Sequence, residues 1–417
     1  MTDRIRATYR IETDQDIHRA AEIMAGEQSA GTFVKVPGET PELLERHGAR
    51  VEDVTLLEDV KTPSLPRRHM PEDAIFQRAE VTLSFPFENI GTSLTALWTA
   101  VAGNLYELAP FTGLRLLDVE IPVEFGGFYN GPAFGIDGTR ELADVYDRPL
   151  IGTIIKPSVG LSVEQLAELT QTLCDGGLDF IKDDELQSDP PYARFEARVK
   201  AVMQVINAHA ERTGKKVMVA FNITGDLDHV LRAHDLVVEH GGTCVMVNLL
   251  AVGLTGLAHL RKHCQLPIHG HRAGWGMLSR HPMLGMDYTA FQKFFRVAGV
   301  DHLHVNGLRN KFCETDESVI TSAKACLTPL PGLDYRVLPV FSSGQWAGQA
   351  PDTYAALQSH DLLYVAGGGI MAHPAGIEAG VRSLKQAWEA AVQNIPFAEY
   401  ANDHPELAQA LQKYGQL

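Results

Sequence analysis

Cysteine is scarce. Five residues, Cys174, Cys244, Cys264, Cys313 and Cys326, are spread over 417 positions with no C-x-x-C pair. An odd number at such spacing argues against a disulfide scaffold and a thiolate zinc site, and suits a reducing compartment, so a cytoplasmic location is expected. No apolar run reaches the roughly 18 residues that a membrane span needs. The opening MTDRIRATYRIETD lacks the apolar stretch of a signal peptide. Without secretion, the sequon Asn222-Ile223-Thr224 carries no weight. Positive charge is also in deficit: 36 Lys and Arg face 52 Asp and Glu, a formal net charge of −16. Such a surface repels nucleic acid and anionic lipid, so neither is expected as a partner. A small anion in a local cationic pocket stays possible.

What is present is ordinary globular material. Hydrophobic residues make up 45% of the chain and charged residues 21%, enough for a large core. At roughly 100–200 residues per domain, two or three domains are expected. Residues 4–11 alternate as a strand does, and 14–25 are helical in composition. Thr40-Pro41 followed by ELLERHG reads as a helix with Thr40 at its N-cap and Gly48 past its end. Residues 49–57, 74–85 and 115–122 read as strands and 91–103 as helix. This order predicts a small α+β domain of ferredoxin-like kind over 1–135. The stretch GGFYNGPAFG at 126–135 marks the junction.

Over 136–417 the pattern changes. Eight short apolar runs, at 151–156, 178–185, 216–222, 243–250, 266–271, 300–304, 337–341 and 361–366, alternate with amphipathic segments. Continuous apolar runs suit buried parallel strands. Eight such units predict an α/β fold, a (β/α)8 barrel with a C-terminal helical extension; an open doubly wound sheet is the alternative.

The polar residues gather where these runs end. Run one ends in Lys156-Pro157, run two in Lys182-Asp183-Asp184-Glu185, and run five in His269-Gly270-His271-Arg272. Run six ends in His302-Leu303-His304 with Lys311 beyond, run seven in Ser342-Ser343-Gly344, and run eight in Gly367-Gly368-Gly369. Barrel enzymes build their sites from several strand ends at once. In a strand Lys182 and Asp184 share a face, and Glu185 joins them only where strand gives way to loop. Two carboxylates suit Mg2+. A neutral Lys182 amine could add CO2 to give a carbamate, a third oxygen ligand, if burial lowers its pKa far enough. The plain alternative is a buried Lys182–Asp184 salt bridge. Gly344 and Gly367-Gly368 stand where barrels hold phosphate on backbone N–H groups, and Arg272, His304 and Lys311 would add charge there.

With these residues in place, the chain resembles the ribulose-bisphosphate carboxylase/oxygenase superfamily over nearly its whole length. GGLDFIKDDE at 176–185 is the most specific piece. The resemblance implies Lys182 as the carbamylated lysine and Asp184 and Glu185 as the other ligands of one Mg2+. It implies Lys156, in GTIIKP, as a proton-transfer lysine, His271 as a catalytic histidine, and Lys311 as a catalytic loop lysine. Arg272, His304, Ser342, Gly344, Gly367 and Gly368 would bind substrate and its phosphates. Glu27, Thr32 and Asn104 match residues that reach a partner's barrel, which implies a homodimer with shared sites.

The departures choose the branch. Ser158 stands where true carboxylases have a second lysine. Phe33 replaces a tryptophan, Trp275 a histidine, and Asn310 a loop glycine. The chain therefore resembles a type IV member, a RuBisCO-like protein, and ribulose bisphosphate carboxylation is not expected. The retained residues still suit an enediolate. The expected reaction is decarboxylation of a phosphorylated sugar acid, 3-oxo-isoapionate 4-phosphate, in carbohydrate catabolism. The alternatives are 5-methylthioribulose-1-phosphate isomerisation and diketo-methylthiopentyl-1-phosphate enolisation in methionine salvage. No lysine lies between Lys61 and Lys156, which counts against the enolase. Trp98, Trp388, Cys174 and Cys326 read as core, and the basic turn 212–216 lacks the first glycine of a P-loop.

Overall fold

The computed structural model describes residues 3–31, 36–67 and 73–415. Thr32 and Phe33 lie outside the described residues. By its contacts the chain divides into two compact units. No described helix is long and apolar enough to cross a membrane.

The first unit is built on an antiparallel sheet of β1 (Arg4–Thr13), β2 (Arg50–Val60), β3 (Phe76–Pro86) and β4 (Phe111–Val119), in the order β4-β1-β3-β2. Helices Ile17–Glu27 and Leu94–Val101 complete the βαββαβ order of a ferredoxin-like domain. Strict alternation puts Ile5, Ala7, Tyr9 and Ile11 of β1 in the core. Helix Pro41–His47 starts as its sequence predicts, with Leu43 N–H donating to Thr40 Oγ1 at 3.2 Å. Gly48 closes it, but not through a left-handed turn: its φ is −70°, and a Cβ there would stand 2.4 Å from the Leu44 carbonyl oxygen.

The first unit also takes in Gly274–Ala298 and Leu330–Asp334 from further along the chain.

The second unit holds the barrel. Its strands are β5 (Leu150–Ile154), β6 (Phe180–Lys182), β7 (Met218–Asn222), β8 (Cys244–Asn248) and β9 (Ile268–His271), then β11 (His302–His304), β12 (Leu338–Phe341) and β13 (Leu363–Val365). Between β9 and β11 the short β10 (Leu284–Met286) instead pairs parallel with β4 of the first sheet. The eight barrel strands pair in chain order and β13 closes on β5. Every one of the eight apolar runs carries one of them. Leu150, Phe180, Met218, Met246, Leu338 and Val365 fill the interior, joined by Ile136 and Ala143 from helix Gly135–Ala143.

The N-terminal ends of the strands are fastened by buried aspartates. Asp179 pairs with Arg148 and Lys215. Asp301 accepts from the backbone of Phe134 (2.6 Å), Gly135 (2.9 Å) and Ile268 (2.7 Å) and from Arg261 (2.9 Å). Trp388, Cys174 and Cys326 are buried, as expected, while Trp98 is half-buried and packs edge-on against Phe294.

Candidate active site

The K-x-D-E segment begins as strand and ends as turn. Hydrogen-bonded strand stops at Lys182, so the alternation that would turn Glu185 away is lost. Asn222 Nδ2 then pins the turn by donating to the carbonyls of Asp184 (3.3 Å) and Glu185 (3.2 Å). Lys182, 1% exposed, lies 3.1 Å from Glu185 Oε2 and donates to the Asp183 carbonyl at 2.8 Å. Asp184, 2% exposed, is paired instead with Lys156 at 2.6 Å. The expected alternative of a Lys182–Asp184 bridge is thus corrected: each carboxylate has its own lysine. Asp183 is structural, held by the fully buried Arg198 at 3.2 Å and by the Asn222 backbone N–H at 3.1 Å.

The electrostatics follow from burial. Burial lowers the pKa of Lys182, with Glu185, Asp184 and Asp183 opposing it. Burial raises the Glu185 pKa, but Lys182 and His271 outweigh it and hold the carboxyl at about 2. His271 Nε2 stands 3.5 Å from Glu185, and burial together with Lys182 brings its pKa down to about 3. The donor set fits a hard cation: two carboxylates and a buried amine that burial biases toward its neutral, CO2-reactive form. Here the nitrogens of Lys156 and Lys182 contact the carboxylate oxygens of Asp184 and Glu185 that a cation would use.

Lys156 also donates to Ser158 Oγ at 2.7 Å. The serine that stands in place of a second lysine is therefore a partner of the first.

Opposite this corner, His271 and His304 pack edge-on with ring centroids 4.6 Å apart. His304 Nδ1 lies 3.1 Å from Ser342 Oγ. Gly344, at φ +90°, follows, and Lys311 adjoins it, its N–H donating to the Ser343 carbonyl at 3.2 Å. Lys311 is exposed. Gly367 approaches the Lys156 side chain, and a Cβ on Gly368 would meet open space, whereas one on Gly369 would stand 2.5 Å from the Gln345 carbonyl oxygen. Gly367 and Gly368 can thus face a ligand, while Gly369 is there for packing.

Arg272 is buried and ion-paired with Glu314. Glu314 also accepts from Asn306 Nδ2 (2.7 Å) and Ser318 Oγ (2.9 Å). Sequence reasoning did not single out Glu314, which has no periodic or motif signal. Asn310, in place of a glycine, ties the Lys311 loop to itself through the Gly307 and Glu314 carbonyls and the Phe312 N–H. Trp275 packs with Tyr288 and Phe291 in the first unit. In that unit Glu27 ends a helix, Asn104 lies in a short 3-10 turn, and both are exposed.

Among the described residues one further set has metal-ligand geometry, His234, Asp235 and His263. The Gln265 backbone N–H donates to His234 Nε2 at 3.1 Å, so the imidazole proton belongs on Nδ1, which faces Asp235. That nitrogen has no lone pair for a cation.

Two family models match the chain: "Ribulose bisphosphate carboxylase large chain, catalytic domain" over residues 135–414 and the corresponding "N-terminal domain" over 2–125. The chain is 55% identical, over 99% of both chains, to the 3-oxo-isoapionate-4-phosphate transcarboxylase/hydrolase of Xanthobacter autotrophicus. It is 48% identical, over 98% of both chains, to the 3-oxo-isoapionate-4-phosphate decarboxylase of Rhizobium rhizogenes. The crystal structure of a rubisco-like protein from Burkholderia fungorum superposes with a TM-score of 0.93 at 46% identity, covering 99% of this chain and 100% of that one.

Proposed function

The chain belongs to the ribulose bisphosphate carboxylase large-chain family, and from that premise we propose that it removes the carboxyl group of a phosphorylated 3-oxo sugar acid of the 3-oxo-isoapionate 4-phosphate kind. The observation that carries this reading is the complete acidic corner, Lys182, Asp184 and Glu185, with the Lys156 amine 2.6 Å from Asp184. Relatives named for this substrate divide between two outcomes, carboxyl loss and carboxyl transfer.

In this proposal Lys182, as a neutral amine, adds CO2 to form a carbamate and releases one proton. The carbamate, Asp184 and Glu185 would hold one Mg2+, which when bound supplies positive charge where the substrate's carbonyl oxygen gains negative charge. The bond to the carboxyl carbon breaks, its electron pair enters the 3-oxo carbonyl, and CO2 leaves. The resulting enediolate carbon takes a proton, for which Lys156 is the donor in reach. Ser158 orients that ammonium. His271, biased to its neutral form, is placed to hydrogen-bond a substrate oxygen rather than to add charge. Lys311 with Gly344, and Gly367 with Gly368, offer the places for phosphate, and Arg272 contributes if phosphate displaces Glu314. In the same proposal the enzyme is a homodimer, with Glu27, Thr32 and Asn104 serving the partner's barrel.

Proton NMR in D2O with Mg2+, bicarbonate and 3-oxo-isoapionate 4-phosphate tests it. Carboxyl loss gives CO2 and one deuterium on the former carboxyl-bearing carbon, and Lys182→Ala abolishes both. Carboxyl transfer consumes substrate without stoichiometric CO2 and selects the second reading. Turnover of 5-methylthioribulose 1-phosphate alone would contradict both.

A further inference from the structure

A line of buried imidazoles runs through the barrel from one end of its strands to the other. It begins at Thr139 on helix Gly135–Ala143, whose leading N–H groups bind Asp301 just before β11. His302 opens β11 and stands opposite His269 of β9; His304 closes β11, and Ser342 follows β12. The links are Thr139 Oγ1 to His302 Nε2 at 2.8 Å, and His302 Nδ1 to His269 Nδ1 at 3.2 Å. They continue from His269 Nε2 to His304 Nε2 at 2.7 Å, and from His304 Nδ1 to Ser342 Oγ at 3.1 Å. None of the five side chains is more than 5% exposed.

The direction of this line is fixed at its far end. Thr139 Oγ1 lies 2.5 Å from the Gly135 carbonyl oxygen. Two oxygens that close need a proton between them, and a carbonyl has none to give. Thr139 spends its only proton there, so toward His302 it can only accept. The His302 proton therefore sits on Nε2, and its Nδ1 accepts. A neutral imidazole has one N–H, and burial lowers the pKa of all three rings. Hence His269 donates from Nδ1 and accepts at Nε2, His304 donates from Nε2, and His304 Nδ1 accepts from Ser342. Ser343 gives its own proton to Asn306 Oδ1 at 2.8 Å and does not supply one.

We propose that Thr139, His302 and His269 are positioning residues that, through His304, orient Ser342 as a hydrogen-bond acceptor, so that the substrate group it selects is a hydroxyl and not a carboxylate or phosphate oxygen. The substrate part of this rests on the reading of Ser342 as a substrate contact; the tautomers do not. Removing the Thr139 hydroxyl takes away the group that sets the direction, and the line reverses, four residues from the change.

Long-range nitrogen–proton NMR of the full chain labelled with 15N-histidine reads the tautomers directly. In the wild type, Nε2–H is expected for His302 and His304 and Nδ1–H for His269. In Thr139→Val, His304 moves to Nδ1–H, while Thr139→Ser keeps the wild-type pattern. Turnover of the keto-acid phosphate falls about 10-fold in Thr139→Val, the scale of one hydrogen bond, and Thr139→Ser restores it. A wild-type His304 with its proton on Nδ1 overturns the relay, and needs no variant to fold. Unchanged turnover in a Thr139→Val protein whose tautomers have switched overturns the positioning role. The tautomer pattern is read without substrate, so failure of the proposed reaction leaves a separate signature.

Discussion

In the proposed reaction Lys182 is the residue on which the chemistry would turn, because burial biases its amine toward the form that reacts with CO2. Lys182→Arg would keep a cation beside Glu185, but a guanidinium stays protonated and cannot take up CO2. Turnover should fall on the order of 10³-fold, the scale of lost electrostatic stabilisation, with the fold intact by circular dichroism. Asp183 and Asp184, adjacent in sequence, have different work: one is tied to Arg198 in the interior and the other to Lys156. Arg198→Met would leave the Asp183 carboxylate buried and unpaired, at a cost of about 3–5 kcal/mol in urea unfolding. The motif made Lys182, Asp184 and Glu185 legible in the sequence. It could not say which carboxylate each lysine holds, since that depends on where β6 frays and on Asn222, 37 residues away from Glu185.

Among elements, β9 and β11 carry a property that the sequence disguised. His269 and His271, like His302 and His304, stand two apart and so share a strand face, and they read as charge at strand ends. In the barrel, His269, His302 and His304 are buried and their pKa values are lowered, that of His302 to about 3. A histidine whose folded pKa lies below its unfolded value near 6.5 favours folding above that value, and this contribution is lost as pH falls. Each ring contributes up to about 1.4 kcal/mol per pH unit over that range. The thermal midpoint should therefore drop steadily from pH 6.5 toward pH 4, less steeply in His302→Gln; a flat profile in the wild type would contradict neutral burial. The barrel strands themselves were legible, because eight continuous apolar runs have few other uses. β10 was not: three residues around Gly285 hold no period, and only pairing with β4 makes them a strand.

For the whole molecule, the buried aspartate anchors and the candidate site sit at opposite ends of the barrel strands. Asp301, fully buried at the N-terminal end, gathers three backbone N–H groups and Arg261. Asp301→Ala would strand that guanidinium and those N–H groups, costing about 3–5 kcal/mol in denaturant unfolding, without removing any group from the acidic corner. The net charge of −16 opposes polyanionic partners, while Lys156, Lys182, Arg272 and Lys311 all belong to the barrel unit, where the proposed small phosphorylated acid would find positive charge. The measurement that bears most directly on this account is 13C NMR of the chain equilibrated with Mg2+ and 13C-bicarbonate. A protein-bound carbamate resonance in the wild type, absent in Lys182→Ala, is the predicted result. A wild-type protein that consumes the keto-acid phosphate with no such resonance would contradict it.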